Sequence, residues 1–148
     1  MDLRKVVEMF RRVGASCRKV RGEDRYVCWK GDARAVIGRD GVVIKNIGDF
    51  RLEYSDFAPE GYRFEGDFLE DVREATGADD AWIEVEPSPT TWISLKFGMD
   101  KVGHAVEVFK KMADHDMHVS ITHIRGEVRT YMDEEQVPPR KWLEAFGE

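Results

Sequence analysis

Between residues 81 and 97 the chain alternates apolar and polar residues with a period of two, on both sides of a proline-rich break. Ala81, Ile83 and Val85 alternate with Trp82, Glu84 and Glu86, and Ile93, Leu95 and Phe97 alternate with Trp92, Ser94 and Lys96. A period of two places every second side chain on one face of a strand. Two such runs joined by Pro87-Ser88-Pro89-Thr90 predict an antiparallel hairpin with one face on a core. A chain containing this unit must therefore cover the inner face of a sheet.

Helical spacing elsewhere supplies the cover. Leu3, Val6, Val7, Phe10 and Val13 share one helix face, with Asp2 to cap the start and Gly14 to end it. Asp67 followed by Glu70 resembles a capping box ahead of Phe68, Leu69 and Val72. Asp100 can cap a helix bearing Val102, Ala105, Val106, Phe109 and Met112, and Pro138-Pro139 opens a short last helix with Trp142, Leu143 and Phe146. Residues 16–20, 25–30, 33–37, 42–47, 50–55, 117–124 and 127–132 read as short strands between turn signals. The stretch 56–66 is the longest irregular segment, and no low-complexity linker divides the chain. The expected fold is one α+β domain over residues 1–148, a mainly antiparallel sheet of about 7–9 short strands with about 3–4 helices on one face.

An internal similarity runs through this plan. Val7–Val13 resembles Val106–Met112, and each is followed by an Arg-Gly-Glu turn, at Arg21–Glu23 and Arg125–Glu127. This is the pattern an αββ duplication would leave, although amphipathic helices also resemble one another by chance.

The 148 residues suffice for one ordinary core, and 42% hydrophobic against 35% charged residues describe a globular chain. Apolar runs such as Val42-Val43-Ile44 are too short to span a bilayer, and Met1–Lys5 carries no apolar signal core. A cytoplasmic protein without membrane contact is expected. Pairing 16–20 with 25–30 would set Cys17 opposite Cys28, but a cytoplasmic chain favours reduced thiols. The net charge of −6 is uneven: residues 1–45 hold 12 Lys and Arg against 6 Asp and Glu, a net of +6, and the remainder holds 11 against 23, a net of −12. The basic side could meet an anionic partner unless the charges interleave on folding.

The segment 33–47 carries the strongest functional ambiguity. Asp40-Gly41 is a favoured tight-turn pair between two β-branched arms, which predicts a hairpin. This strand-turn-strand, with the helix near 67–76, the 81–97 hairpin and the 100–113 helix, resembles Roadblock and profilin-like domains, which implies a dimerising or scaffold module without catalysis. Alternatively, Ile37-Gly38-Arg39-Asp40-Gly41 followed by Ile44 and Ile47 resembles the Gly-x-x-Gly loop of KH domains. That resemblance implies a phosphate cradle at Gly38, Arg39 and Gly41, a helix after it, and Lys45 as a further contact. Arg11, Arg12, Arg18, Lys19, Arg21 and Arg25, with Tyr26 and Trp29, could then add a phosphate and stacking surface for single-stranded RNA. The competing reading of these cations is a solvated helix face and a charged edge strand.

Three further groups merit naming. Trp82 and Trp92 fall by parity on the outer face of their hairpin and, with Trp142, are candidates for a partner surface, unless the last helix covers them. His115, His118 and His123 invite a metal reading, but in a strand His118 and His123 point to opposite faces, so no metal site is expected of the set. Asp79, Asp80, Glu84 and Glu86 resemble a nuclease centre, but Glu86 stands where such centres need lysine. There is no Ser-His-Asp signature, P-loop, Cys-x-x-Cys pair or dinucleotide fingerprint, and no cofactor is expected. The leading expectation is a non-enzymatic interaction domain that binds a protein partner or itself, followed by RNA binding and then a metal-dependent enzyme.

Overall fold

Asp2 accepts a hydrogen bond from the Arg4 amide at 3.0 Å and so starts α1 (Leu3–Arg12) as its residue type favours. The helix stops at Gly14, whose φ of +98° lets the Ala15 amide turn back to the Phe10 carbonyl at 3.1 Å. Four strands follow: β1 (Ser16–Lys19), β2 (Tyr26–Lys30), β3 (Ala33–Gly38) and β4 (Gly41–Arg51). Next come α2 (Phe68–Thr76), β5 (Asp80–Val85), β6 (Thr91–Phe97) and α3 (Val102–Asp114). The chain closes with β7 (His118–Thr122), β8 (Glu127–Met132), β9 (Glu135–Val137) and α4 (Pro139–Glu144). The structure, a computed structural model, describes residues 2–51, 68–85, 91–122 and 127–147. Asp67, the 56–66 stretch, Glu86–Thr90, His123 and Arg125-Gly126 lie outside the described residues.

The strands form a mainly antiparallel α+β sheet. β1-β2-β3-β4-β6-β5 is a six-stranded antiparallel unit, and β7-β8-β9 is a three-stranded one. The two are joined by a short parallel ladder between Gly48–Arg51 of β4 and Val119–Thr122 of β7. β3 pairs with β4 up to Ala33↔Asn46, and β7 takes over from Gly48↔Val119. β3 and β7 thus start from the same point along β4 and run in opposite directions.

Register sorts the side chains onto two faces. Cys28, Ala35, Ile44, Leu95 and Ala81 lie in one cross-strand row, and all are buried. The helices pack on this face: Val6, Val7 and Phe10 of α1, Phe109 and Met112 of α3, Leu69 and Val72 of α2 and Trp142 of α4 belong to one hydrophobic core. Phe10 and Phe109 meet edge to face at 5.2 Å between ring centroids, which ties α1 to α3. Four helices on one face of the sheet is the arrangement the periodicities predict.

Several details differ from the sequence reading. Residues 41–51 form one strand rather than two, because pairing with β6 on one side and β7 on the other carries the ladder through Gly48. Asp100 does not cap α3; a 3-10 turn over Met99–Lys101 precedes the helix, and no side chain caps it. Cys17 and Cys28 sit opposite one another as register predicts, but they are joined in a disulfide rather than held as free thiols. The αββ order does recur, yet β2 is the inner strand of the first unit while β7 is the inner strand of the second. The two units therefore hold unlike places in the sheet.

Candidate binding face and a carboxylate–histidine cluster

The face of the six-stranded unit opposite the helices is built by the alternate residues of each strand. One row runs Arg18, Val27, Val36, Val43, Lys96, Asp80 from β1 to β5. The next runs Ser16, Trp29, Arg34, Lys45, Ser94, Trp82. Trp92 pairs with Glu84 one step further along β6. Among the described residues no helix packs on this face.

Its chemistry centres on Trp92. The Arg34 guanidinium lies 5.8 Å and the Lys45 ammonium 5.9 Å from the indole centroid, within cation–π range. Lys45 also pairs with Glu84 across the strands. Arg34 donates to the Gly31 and Ala33 carbonyls at 2.7 and 3.0 Å, which fixes its plane. Trp92 is 9% exposed and Ser94 fully buried. Trp92 Nε1 and Ser94 Oγ nevertheless have no hydrogen-bond partner among the described residues. An unmade hydrogen bond on a buried group costs about 1–3 kcal/mol.

Trp82 and Trp92 thus occupy the outer face assigned by parity, and Trp82 is half-buried. Trp142 does not join them. It is fully buried on the helix side, 5.9 Å from the Phe68 ring and 5.1 Å from the Phe146 ring. The last helix packs on β8 and α2, so Trp142 neither covers this face nor forms part of a partner surface.

The basic candidates separate. Arg25, Gly38, Arg39 and Gly41 line one groove at the hairpin tips, together with Asp24 and Asp40. Arg39 is bound to Asp24 at 2.7 Å and Arg25 to Glu23 at 3.4 Å. Lys19 lines a neighbouring cleft with Asp2, Arg4 and Arg39, and Arg21 is exposed in the β1–β2 turn. Arg11, bound to Glu8 at 2.9 Å, and Arg12 lie at the opposite end of α1. Arg18 and Lys45 belong to the outer sheet face. The ten residues therefore do not make one basic surface.

The KH resemblance is corrected by β4. The chain after Gly41 is a strand, so no helix N-terminus addresses Gly38, Arg39 and Gly41. Gly41 is required for another reason: its φ is +136°, and a Cβ there would lie 2.2 Å from the Phe97 carbonyl oxygen. The glycine admits the backbone of β6 rather than a phosphate.

The acidic group separates in the same way. Asp79 accepts from Lys101 at 2.6 Å and from the Gly98 amide at 2.9 Å. The Lys101 hydrogen bond, followed by that of Gly98, holds its carboxyl below the usual carboxylate range. Glu84 answers Lys45, and Glu70 holds the Arg73 guanidinium above its ordinary value. Among the described residues these are structural ion pairs, not a convergent acidic centre.

A different cluster forms where β3 and β7 diverge. His118 opens β7, and its Nε2 lies 2.7 Å from Asp116 Oδ1 and 3.2 Å from Asp32 Oδ2. Asp32 comes from the β2–β3 turn and Asp116 from the α3–β7 turn. His115 stands apart, 3.7 Å from Asp133. Asp32 was invisible as a partner in the sequence, because only the fork in the sheet brings it to residues 116–118. No protein-family model, curated protein or solved structure matches the chain.

Proposed function

We propose that the chain is a non-enzymatic interaction domain that self-associates through the outer face of its six-stranded unit. The observation that carries this reading is the charge order of the row Arg18, Val27, Val36, Val43, Lys96, Asp80. Its basic end lies on β1, its acidic end on β5, and its apolar centre on β3 and β4. A twofold axis parallel to the strands reverses the strand order of a second copy laid face to face. Arg18 then faces Asp80 of the other copy, and Val36 faces Val43. Lys45 comes over Arg34 near the axis, but Glu84 already neutralises Lys45.

The row spans five inter-strand gaps, roughly 24 Å, which makes a modest interface and a dimer that dissociates on dilution. Light-scattering mass measured from about 1 to 300 µM tests this, that range bracketing the weak affinity a small interface gives. The expected result is a rise from the 17.1 kDa of one chain towards twice that value. Arg18→Glu and Asp80→Arg should each abolish the rise, and the double variant should restore it. A single-chain mass throughout overturns the reading, as does a rise that Arg18→Glu leaves unchanged. RNA binding by the basic first third is the second reading, and a salt-steep affinity of the wild-type chain for single-stranded RNA would favour it.

A further inference from the structure

We propose that Asp32, Asp116 and His118 form a binding site for a divalent transition-metal ion of the Zn²⁺ class. One ligand atom from each lies within 4.8 Å of the others. The separations of 2.7 and 3.2 Å between His118 Nε2 and the two carboxylates approach those of a coordination shell. Ligands about 2.0–2.2 Å from a zinc ion stand roughly 3.0–3.5 Å apart. Small rotations of the two aspartate side chains would bring the three donors to that spacing. An imidazole with two carboxylates is a borderline donor set, which suits Zn²⁺ or Mn²⁺ better than the all-oxygen shells of Ca²⁺ and Mg²⁺.

Charge points the same way. Two carboxylates converge on one ring nitrogen, which can offer them at most one proton. Among the described residues no lysine or arginine answers either carboxylate. Lys30, on the strand leading to Asp32, is committed to Asp114 at 2.6 Å and to the Val13 carbonyl at 3.1 Å. Arg34, two residues beyond Asp32, is held by backbone carbonyls. A divalent cation would neutralise the pair.

The scaffold is firm where it needs to be. Asn46 is 3% exposed, and its amide donates to the Met117 carbonyl, fixing the residue between Asp116 and His118. The same asparagine pairs with Ala33, the neighbour of Asp32. All three donors thus refer back to one buried residue of β4. The His118, Asp32 and Asp116 side chains keep 30%, 45% and 48% exposure, so an ion can enter and retain water in the remaining positions. Bound there, it would tie the β2–β3 turn to the α3–β7 turn. The inference does not depend on self-association.

Calorimetric titration of the full chain with zinc chloride tests the site. One equivalent should bind, and Asp32→Asn and His118→Ala should each weaken binding by at least about tenfold. His115→Ala, which alters the adjacent exposed histidine, should leave the affinity unchanged. In the wild-type chain the His118 ring-nitrogen resonances should shift on zinc addition while those of His104 stay fixed. That measurement decides the matter even where a variant does not fold. No binding at millimolar zinc, binding unaltered in Asp32→Asn and His118→Ala, or a His118 resonance that does not move would each overturn the proposal.

Discussion

Two residues hold the sheet's central hairpin and its exit in place by different physics. Gly41 is held by space: a side chain there would collide with the Phe97 carbonyl, and its φ of +136° is strained for any L-residue. Gly41→Ala should therefore destabilise the fold by about 3 kcal/mol or more, read as a lower urea midpoint with an unchanged slope. Asp79 is held by charge. Its carboxylate takes Lys101 and the Gly98 amide together and fixes the turn between β6 and α3. Its folded carboxyl is lowered, so the stabilisation it gives is complete above the unfolded range near pH 4 and fades as pH falls through the folded value. Asp79→Asn should unfold more easily than the wild type at pH 7, and the difference should close under acid. A gap that stays constant down to pH 2, well below the ordinary carboxylate range, would remove this account.

At the scale of elements, legibility followed periodicity. α1, β5, β6 and α3 each bury one face of a helix or strand, and their spacing alone located them. β4 was read as two strands because Gly48 interrupts its β-branched run; only pairing partners on both sides make it continuous. β9 was missed because three residues carry no period. The outer-face tryptophans were legible by parity, since a single register fixes every side chain of a strand. Trp142 was not, because an amphipathic helix shows its apolar stripe without saying which layer receives it. The cross-strand cysteine pair followed from turn geometry, yet its oxidation state did not, since compartment rather than sequence sets it. β1 has four residues and among the described residues pairs only with β2, so the Cys17–Cys28 bond clamps a weak edge. Reduction opens a loop of this length and should cost about 3 kcal/mol. Amide exchange should accelerate first across Ser16–Lys19; uniform acceleration over the whole sheet would show instead that the bond constrains only the unfolded chain.

At the scale of the molecule, the decisive feature is the seam between the six-stranded and three-stranded units. Among the described residues they share a single ladder, four residues long, between β4 and β7. Across it, α4 packs on β8 and also meets α2, with Phe68 and Trp142 in contact. A seam this short makes β7, β8, β9 and α4 a candidate for separate opening. Asn46 is the bolt across it: buried, on the central strand, and donating to Met117 just ahead of β7. Its removal leaves the Met117 carbonyl to find another donor, at about 1–3 kcal/mol. Asn46→Ala should therefore raise amide exchange in β7 to β9 well before it affects the β3–β4–β6 core. Sequence could not announce this role, since an asparagine in a β-branched run reads as a flaw in the strand until the fork gives it a carbonyl to hold. Equal acceleration in both units would mean that the chain opens as one body and that the seam carries no independent motion. Selective opening of β7 to β9 would mean that the diverging strands, and the carboxylates and histidine gathered at their start, form a joint between two parts of one sheet.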